Sequence, residues 1–313
     1  MKKLFLKYQK NILGIVVLGI FIIYFILNKD SFKPLLDMKP LLLIGSFVCY
    51  IAILLCNGLF MKYILESFDK QLSVHESTRV SLLSSLGNFF ASSGAGLGFR
   101  AVYLKKKHGL SYSDYMATMY GNYLLIFIVS ALLGVTSLGL IGLDSTPQFV
   151  GLVLFFGSLL AVSIGLSFVR VPNISYDNKI VSKIIKLLRT MSLGWRRIIE
   201  DRRLLIHLSL LVLAQLILTV LIAWFELMSL SISIGFGQLL LFSVLGSLSI
   251  FISLTPANIG VKEAVYVITA TIIGLTTPQI LSLALIDRGI LFITLAATWG
   301  AIGREKTVNK VRA

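Results

Sequence analysis

Two pairs of adjacent opposite charges stand inside apolar sequence. Lys262-Glu263 lies in "FISLTPANIGVKEAVYVITA", residues 251–270, and Asp287-Arg288 lies in the last apolar segment. A lysine or carboxylate at the centre of a membrane helix costs roughly 2.5–3.5 kcal/mol. Neighbours in a helix point about 100° apart, so Lys262 and Glu263 cannot easily neutralise each other. Each needs a partner elsewhere, and the second pair supplies them: Glu263 with Arg288 and Lys262 with Asp287. Two chemistries follow. The pairs are salt bridges that hold helices together, or they are polar groups lining a substrate path. In the second case Arg100, Lys262 and Arg288 bind phosphate, while Glu263 and Asp287 hold those bases or accept an amine.

A break accompanies each base. "SSGAGLGFRAVYL" and "LTPANIGVKEAVYV" share a glycine, an apolar residue, a base and then Ala-Val-Tyr, with one inserted residue. Gly98 matches Gly260, Arg100 matches Lys262, and Tyr103 matches Tyr266. The match is either a product of few residue types or an internal repeat, and broken helices in paired repeats are a usual construction of secondary transporters. A helix tip inside a membrane frees backbone N–H and C=O groups that lipid cannot satisfy, so it must be buried in protein or face a wet cavity. Pro256 removes a donor and stops a helix; Gly94, Gly96, Gly98 and Gly260 allow the turn and close packing; Ser92, Ser93, Thr255 and Asn258 can cap freed groups. Asn88 either caps the first hairpin or contacts a head group. Arg100 is either a topology anchor or a phosphate ligand, whereas Lys105, Lys106 and Lys107 read as anchors.

The elements that carry these residues are membrane helices. Of 313 residues, 57% are hydrophobic and 14% charged, and the mean hydropathy is +0.90. The expected fold is all-α, a single polytopic membrane domain over residues 1–313, since the longest polar interval, Arg170 to Arg203, is too short for an independent domain. Six segments are long enough to cross a bilayer: Asn11 to Leu27, Leu41 to Leu65, Tyr115 to Leu143, Phe149 to Val169, Leu204 to Phe225, and Ile280 to Ile302. The basic N-terminus lacks a small-residue cleavage site, so the first segment reads as a retained span. Val80 to Tyr103 and Gln238 to Leu275 are apolar but interrupted.

Charge sets how they run. Lys2, Lys3, Lys7 and Lys10 favour a cytoplasmic N-terminus, and a full crossing by the first interrupted segment would put Arg100 and Lys105 to Lys107 outside, against the positive-inside rule. That segment therefore reads as a re-entrant hairpin over about 80–107, dipping in from the cytoplasm. The 170–203 loop carries nine basic and three acidic residues, a strong cytoplasmic signal. Within it Ile180, Ile184, Leu187, Met191, Trp195 and Ile198 recur at helical spacing beside a basic face, which fits a helix on an anionic leaflet and equally one packed on the protein. The basic C-terminal tail is also expected inside, so the interrupted stretch 238–275 must begin and end outside as a second, opposed hairpin. This implies an inner (cytoplasmic) membrane protein with both termini cytoplasmic.

The net charge of +15 is explained by topology and anionic lipid, not nucleic acid. Cys49 and Cys56 read as small packing residues. Gly94, Gly96 and Gly98 follow no strand and precede no Gly-Lys-Ser/Thr, so no nucleotide loop is indicated. His75, His108 and His207 fit no zinc spacing, no catalytic triad is evident, and neither metal nor cofactor is expected.

These residues resemble the flippase-like membrane domain of bacterial lysylphosphatidylglycerol synthases, the multiple peptide resistance factor family, and its stand-alone relatives. Asn88, Gly98 and Arg100 look like counterparts of the family's first motif; Pro256, Gly260 and Glu263 match its Pro-Gly-Gly-x-Gly-x-x-Glu; Arg288 resembles an arginine of its final span. The likeness runs from about Lys10 to Gly303. The first break has neither the family's proline nor an acidic residue before Arg100, and Ala257-Asn258 replace the glycine pair. The aminoacyltransferase part is missing from this sequence, so lipid synthesis is not expected. The resemblance implies a non-enzymatic translocator of a phospholipid or lipid-linked head group through a central polar cavity. Other readings stay open: a membrane enzyme of lipid or glycan assembly, or a non-transporting subunit recruiting a glycosyltransferase. A homo-oligomer is equally open.

Overall fold

The computed structural model describes residues 35, 37–90, 94–142, 145–171, 179–252 and 258–303. The expected first span, the terminal basic clusters, Ser92, Ser93, Thr255 and Pro256 lie outside them. Among the described residues the chain is helical with no strand.

Five long apolar helices correspond to the remaining five expected spans. They are α1 (Leu43–Glu66, entered through a 3-10 turn), α4 (Tyr112–Ile141), α5 (Pro147–Phe168), α7 (Arg202–Ser229) and α11 (Thr277–Thr298). Local chemistry sets their starts. Ser111 accepts from the Asp114 N–H at 3.1 Å, Thr146 stands before Pro147 at the first position of α5, and Asp201 accepts from the N–H groups of Arg203 and Leu204. Such caps satisfy N–H groups that the first turn of a helix leaves orphaned.

Side chains point outward in a way that water would not tolerate. Leu154 is 66% and Phe168 77% exposed, and Val48, Leu210 and Ile217 are exposed on other spans. This is a multi-pass membrane protein, with lipid covering those faces. Lipid removes the hydrophobic drive for helix association, so close contact depends on small residues. A Cβ at Gly45 would strike Phe225, one at Gly134 would strike Phe156, and one at Gly121 would strike Ile198.

Between the spans lie two helical hairpins. The first is α2 (Val74–Phe90) and α3 (Ala95–His108); the second is α8 (Phe236–Ser249), then α9 (Val261–Ile268) and α10 (Ala270–Ile273). Their contacts run antiparallel. In the first, Ser84 meets Gly96 and Arg100 while Glu76 meets Tyr103 and His108. In the second, Ser249 meets Asn258 and Gln238 reaches Ile272.

The hairpins occupy opposite ends of one bundle. Tyr103, Leu104 and Val80 share a core with the C-terminal half of α1 and the N-terminal halves of α4 and α7. Phe242, Leu245 and Tyr266 share another with Leu43, Leu138 and Leu227, at the other ends of the same spans. A small third cluster, Leu54, Leu82 and Leu295, lies between.

The expected amphipathic helix is α6 (Lys179–Glu200). The packed reading holds for its C-terminal half. Trp195 and Ile198 are buried, and a Cβ on Gly194 would meet Ala117 of α4, so the C-terminal half is docked. Val181, Ile184 and Leu188 nearer its start are exposed.

Candidate functional site

The second hairpin carries the charged centre. Gly260, with φ of 86°, turns the chain into α9, and the Glu263 carboxylate accepts from the Gly260 N–H at 2.9 Å. One turn of helix then aims Lys262 and Glu263 at α11. Lys262 Nζ donates to Asp287 Oδ2 at 2.7 Å, and Arg288 Nη1 pairs with Glu263 Oε1. Both bridges expected from the adjacent-pair geometry are present. Tyr50 of α1 donates to the other Asp287 oxygen. Two donors of Arg288, Nε and Nη2, stay buried without a partner among the described residues.

Packing fixes this centre from behind. The Tyr266 ring stacks on Phe242 at 4.0 Å, and its hydroxyl lies where a Cβ on Gly246 would be. Asn258 adopts a left-handed φ of 57° and donates to Ser249 Oγ at 3.1 Å, a conformation asparagine accepts more readily than most residues.

The first hairpin is built differently. Gly94, at φ of 92°, precedes α3; the Asn88 side chain accepts from the Gly96 N–H at 3.0 Å, so it caps the helix. Gly96 packs so tightly on α2 that a Cβ would collide with the Ser84 carbonyl, whereas Gly98 faces open space inside α3. Arg100 Nε donates to Ser84 Oγ at 3.3 Å. No carboxylate among the described residues pairs with it. The guanidinium edges a crevice also lined by Met61, Tyr115 and Thr118.

At the base of this hairpin Glu76 accepts from His108 Nε2 at 2.6 Å, Lys107 Nζ at 2.9 Å and Tyr103 Oη at 2.9 Å. Burial alone would raise the Glu76 pKa, but the three donors outweigh it and hold the carboxyl below its ordinary value. Lys107 thus ties the hairpin base, and Lys105 lies over the Tyr112 ring at 4.1 Å.

The two tips approach the middle of α4 and α11. Phe251, just after α8, sits edge-on to Tyr123 at 5.0 Å and to Phe127 at 4.6 Å. Tyr123 in turn lies within electrostatic reach of Arg100. Phe89 and Phe90, at the other tip, pack on Phe292, one turn beyond Arg288. Beside them an apolar groove of about 360 Å³ is lined by Leu86, Phe90, Phe292, Leu295, Ala296 and Trp299.

Of the sequence-derived residues, Lys262, Glu263, Asp287 and Arg288 form one cluster, and Arg100 and Asn88 form a separate one on the first hairpin. Gly96 and Gly98 stand within α3, and the break falls at Gly94. The structural register of the repeat therefore differs from the sequence match: Arg100 lies six residues after the helix-entry glycine and Lys262 two, an offset of about one helical turn. Sequence reasoning missed Tyr50 and Glu226. Glu226, on α7, is 2% exposed, and its Oε1 has no partner among the described residues. Its signal was an acidic residue within the apolar run of a span.

Long apolar spans with two antiparallel helical hairpins packed among them, one carrying a buried charged cluster, define an all-helical multi-pass membrane protein. The chain belongs to the family of the lysylphosphatidylglycerol synthase TM region, whose model matches residues 11–298. It is accordingly a membrane protein tied to lipid metabolism. Among curated proteins none matches it.

Proposed function

We propose that this protein is a non-enzymatic translocator, moving a phospholipid or lipid-linked head group between leaflets of the cytoplasmic membrane. The observation that carries this reading is the pair of hairpins at opposite ends of a shared bundle, one bearing a charged cluster against α11 and the other an arginine with no carboxylate partner among the described residues. In such a protein the first hairpin enters from the cytoplasmic side, where α6 and Lys105 to Lys107 supply positive charge, and the second from the other side. Arg100 makes the first phosphate contact, since no carboxylate competes for its donors. The spare donors of Arg288 extend the path toward α9, and the apolar groove at Phe90 and Phe292 takes an acyl chain. Lys262 and Asp287 satisfy each other, which favours a holding role for that pair.

Reconstitution of Arg100→Gln in vesicles containing a headgroup-labelled anionic phospholipid tests the proposal. No buried carboxylate loses its partner, so the variant should fold, and translocation is expected to fall at least tenfold. Wild-type translocation by a folded Arg100→Gln protein would sink the reading.

A further inference from the structure

The charged cluster does not balance. Among the described residues, three carboxylates, Glu226, Glu263 and Asp287, are gathered with two cations, Lys262 and Arg288. Asp287 is held by Lys262 and by the Tyr50 hydroxyl, and Glu263 by Arg288 and the Gly260 N–H. Glu226 is the surplus acid. It lies within electrostatic reach of Asp287 and Lys262, and its Oε1 is sealed from solvent and unpartnered among the described residues.

The 3-10 turn before α1 packs on this end of α7, with the Lys39 N–H donating to the Ser229 carbonyl, but the charged side chains that act on Glu226 among the described residues are Asp287 and Lys262. Tyr50 faces it from α1, Lys262 and Tyr266 from α9, and Asp287 from α11. The sequence of α8 holds no titratable side chain, and Asp114 of α4 lies toward the opposite end of α7. Among the described residues, the ammonium in reach is that of Lys262, already committed to Asp287 at 2.7 Å. An isolated buried carboxylate costs so much to keep ionised that such a group is neutralised instead. Hard metal cations gather about six or more oxygens, and here one is open. A proton needs one oxygen and displaces no side chain.

We propose that Glu226 is a proton-binding site of this protein. The closed cluster holds Glu226 as the neutral acid. When the cluster opens to water, or Lys262 leaves Asp287 and turns to Glu226, the carboxyl O–H bond breaks and the proton passes to water. Protonation is thereby tied to which hairpin is open. This coupling rests on the translocator reading; the proton site itself does not.

Infrared difference spectroscopy on the full-length protein in lipid tests it. A protonated-carboxyl C=O band is expected at neutral pH. In wild-type protein the band should shift on isotopic labelling of glutamate and not of aspartate, and it should be lost in Glu226→Gln. In vesicles, wild-type lipid movement should change with pH while that of Glu226→Gln stays flat. Absence of the band, or its persistence in Glu226→Gln, overturns the proton site; if that variant does not fold, Glu226→Asp, in which the band should answer to aspartate labelling instead, decides between Glu226 and Glu263. A glutamate band with no pH dependence of lipid movement overturns the coupling alone. Intact transport in Arg100→Gln with the band present would remove the translocator reading and leave the proton site standing.

Discussion

The two hairpins solve the same problem with opposite means. Each must turn a chain between two helices and carry a base near the turn. The first is closed by glycine, with Gly96 against the Ser84 backbone, and leaves Arg100 bonded only to a serine hydroxyl. The second is closed by an aromatic stack, Phe242 on Tyr266, and its Lys262 and Glu263 are both bridged to α11. Among the described residues one base has no carboxylate partner and the other is bridged to a neighbouring helix. A shared sequence pattern thus does not assign a shared role.

The largest expected effect breaks this contrast on its paired side. Arg288→Ala strands Glu263 in the interior and should cost about 3–5 kcal/mol, whereas Arg100→Gln should cost about 1 kcal/mol. Thermal unfolding in matched detergent separates the two. Next, Gly96→Val forces a side chain into the Ser84 carbonyl and should destabilise by about 1–3 kcal/mol, read in the same assay. Equal tolerance at Gly96 and Gly98 would contradict the packing described.

A smaller effect concerns the hairpin base and acidity. The folded-state pKa of Glu76 is depressed, so its contribution is present above the unfolded value of about 4.3 and is lost as pH falls through the lower folded value. Hydrogen-exchange protection factors, corrected for the intrinsic rate at each pH, should therefore fall in acid at the start of α2 and the end of α3 in the wild type. Glu76→Gln should already exchange faster at neutral pH, by about 1–2 kcal/mol for its charge-assisted bonds, and gain little further in acid. Smallest of all, Gly98→Ala places a methyl in open space within a helix and should stabilise by about 0.5–1 kcal/mol. Gly94→Ala should lose about 1–2 kcal/mol, since its φ is left-handed.

Much of the architecture was legible because lipid makes length and charge decisive. Five spans agree with their expected segments to within a few residues, and the crossed bridges followed from the 100° rotation between neighbours. What escaped was position along the helix. The aligned glycines suggested equivalent bases, but α3 begins at Ala95, so Arg100 sits about a turn deeper than Lys262 relative to its entry. Glu226 escaped because a lone acid near the end of a span reads as a solvated terminus; only the approach of α9 and α11 buries it. The docking of α6 was undecidable from a helical period alone, since contact with Ala117 depends on a glycine at 194 with no apolar signature.

Tyr123 stands between the tips, edge-on to Phe251 and in the field of Arg100. The ring also stacks on Phe127, four residues along the same helix, which fixes it in that position. One phenol ring of α4 is therefore where the two hairpins meet electrostatically and sterically, so a change at either end of the bundle is felt at the same side chain.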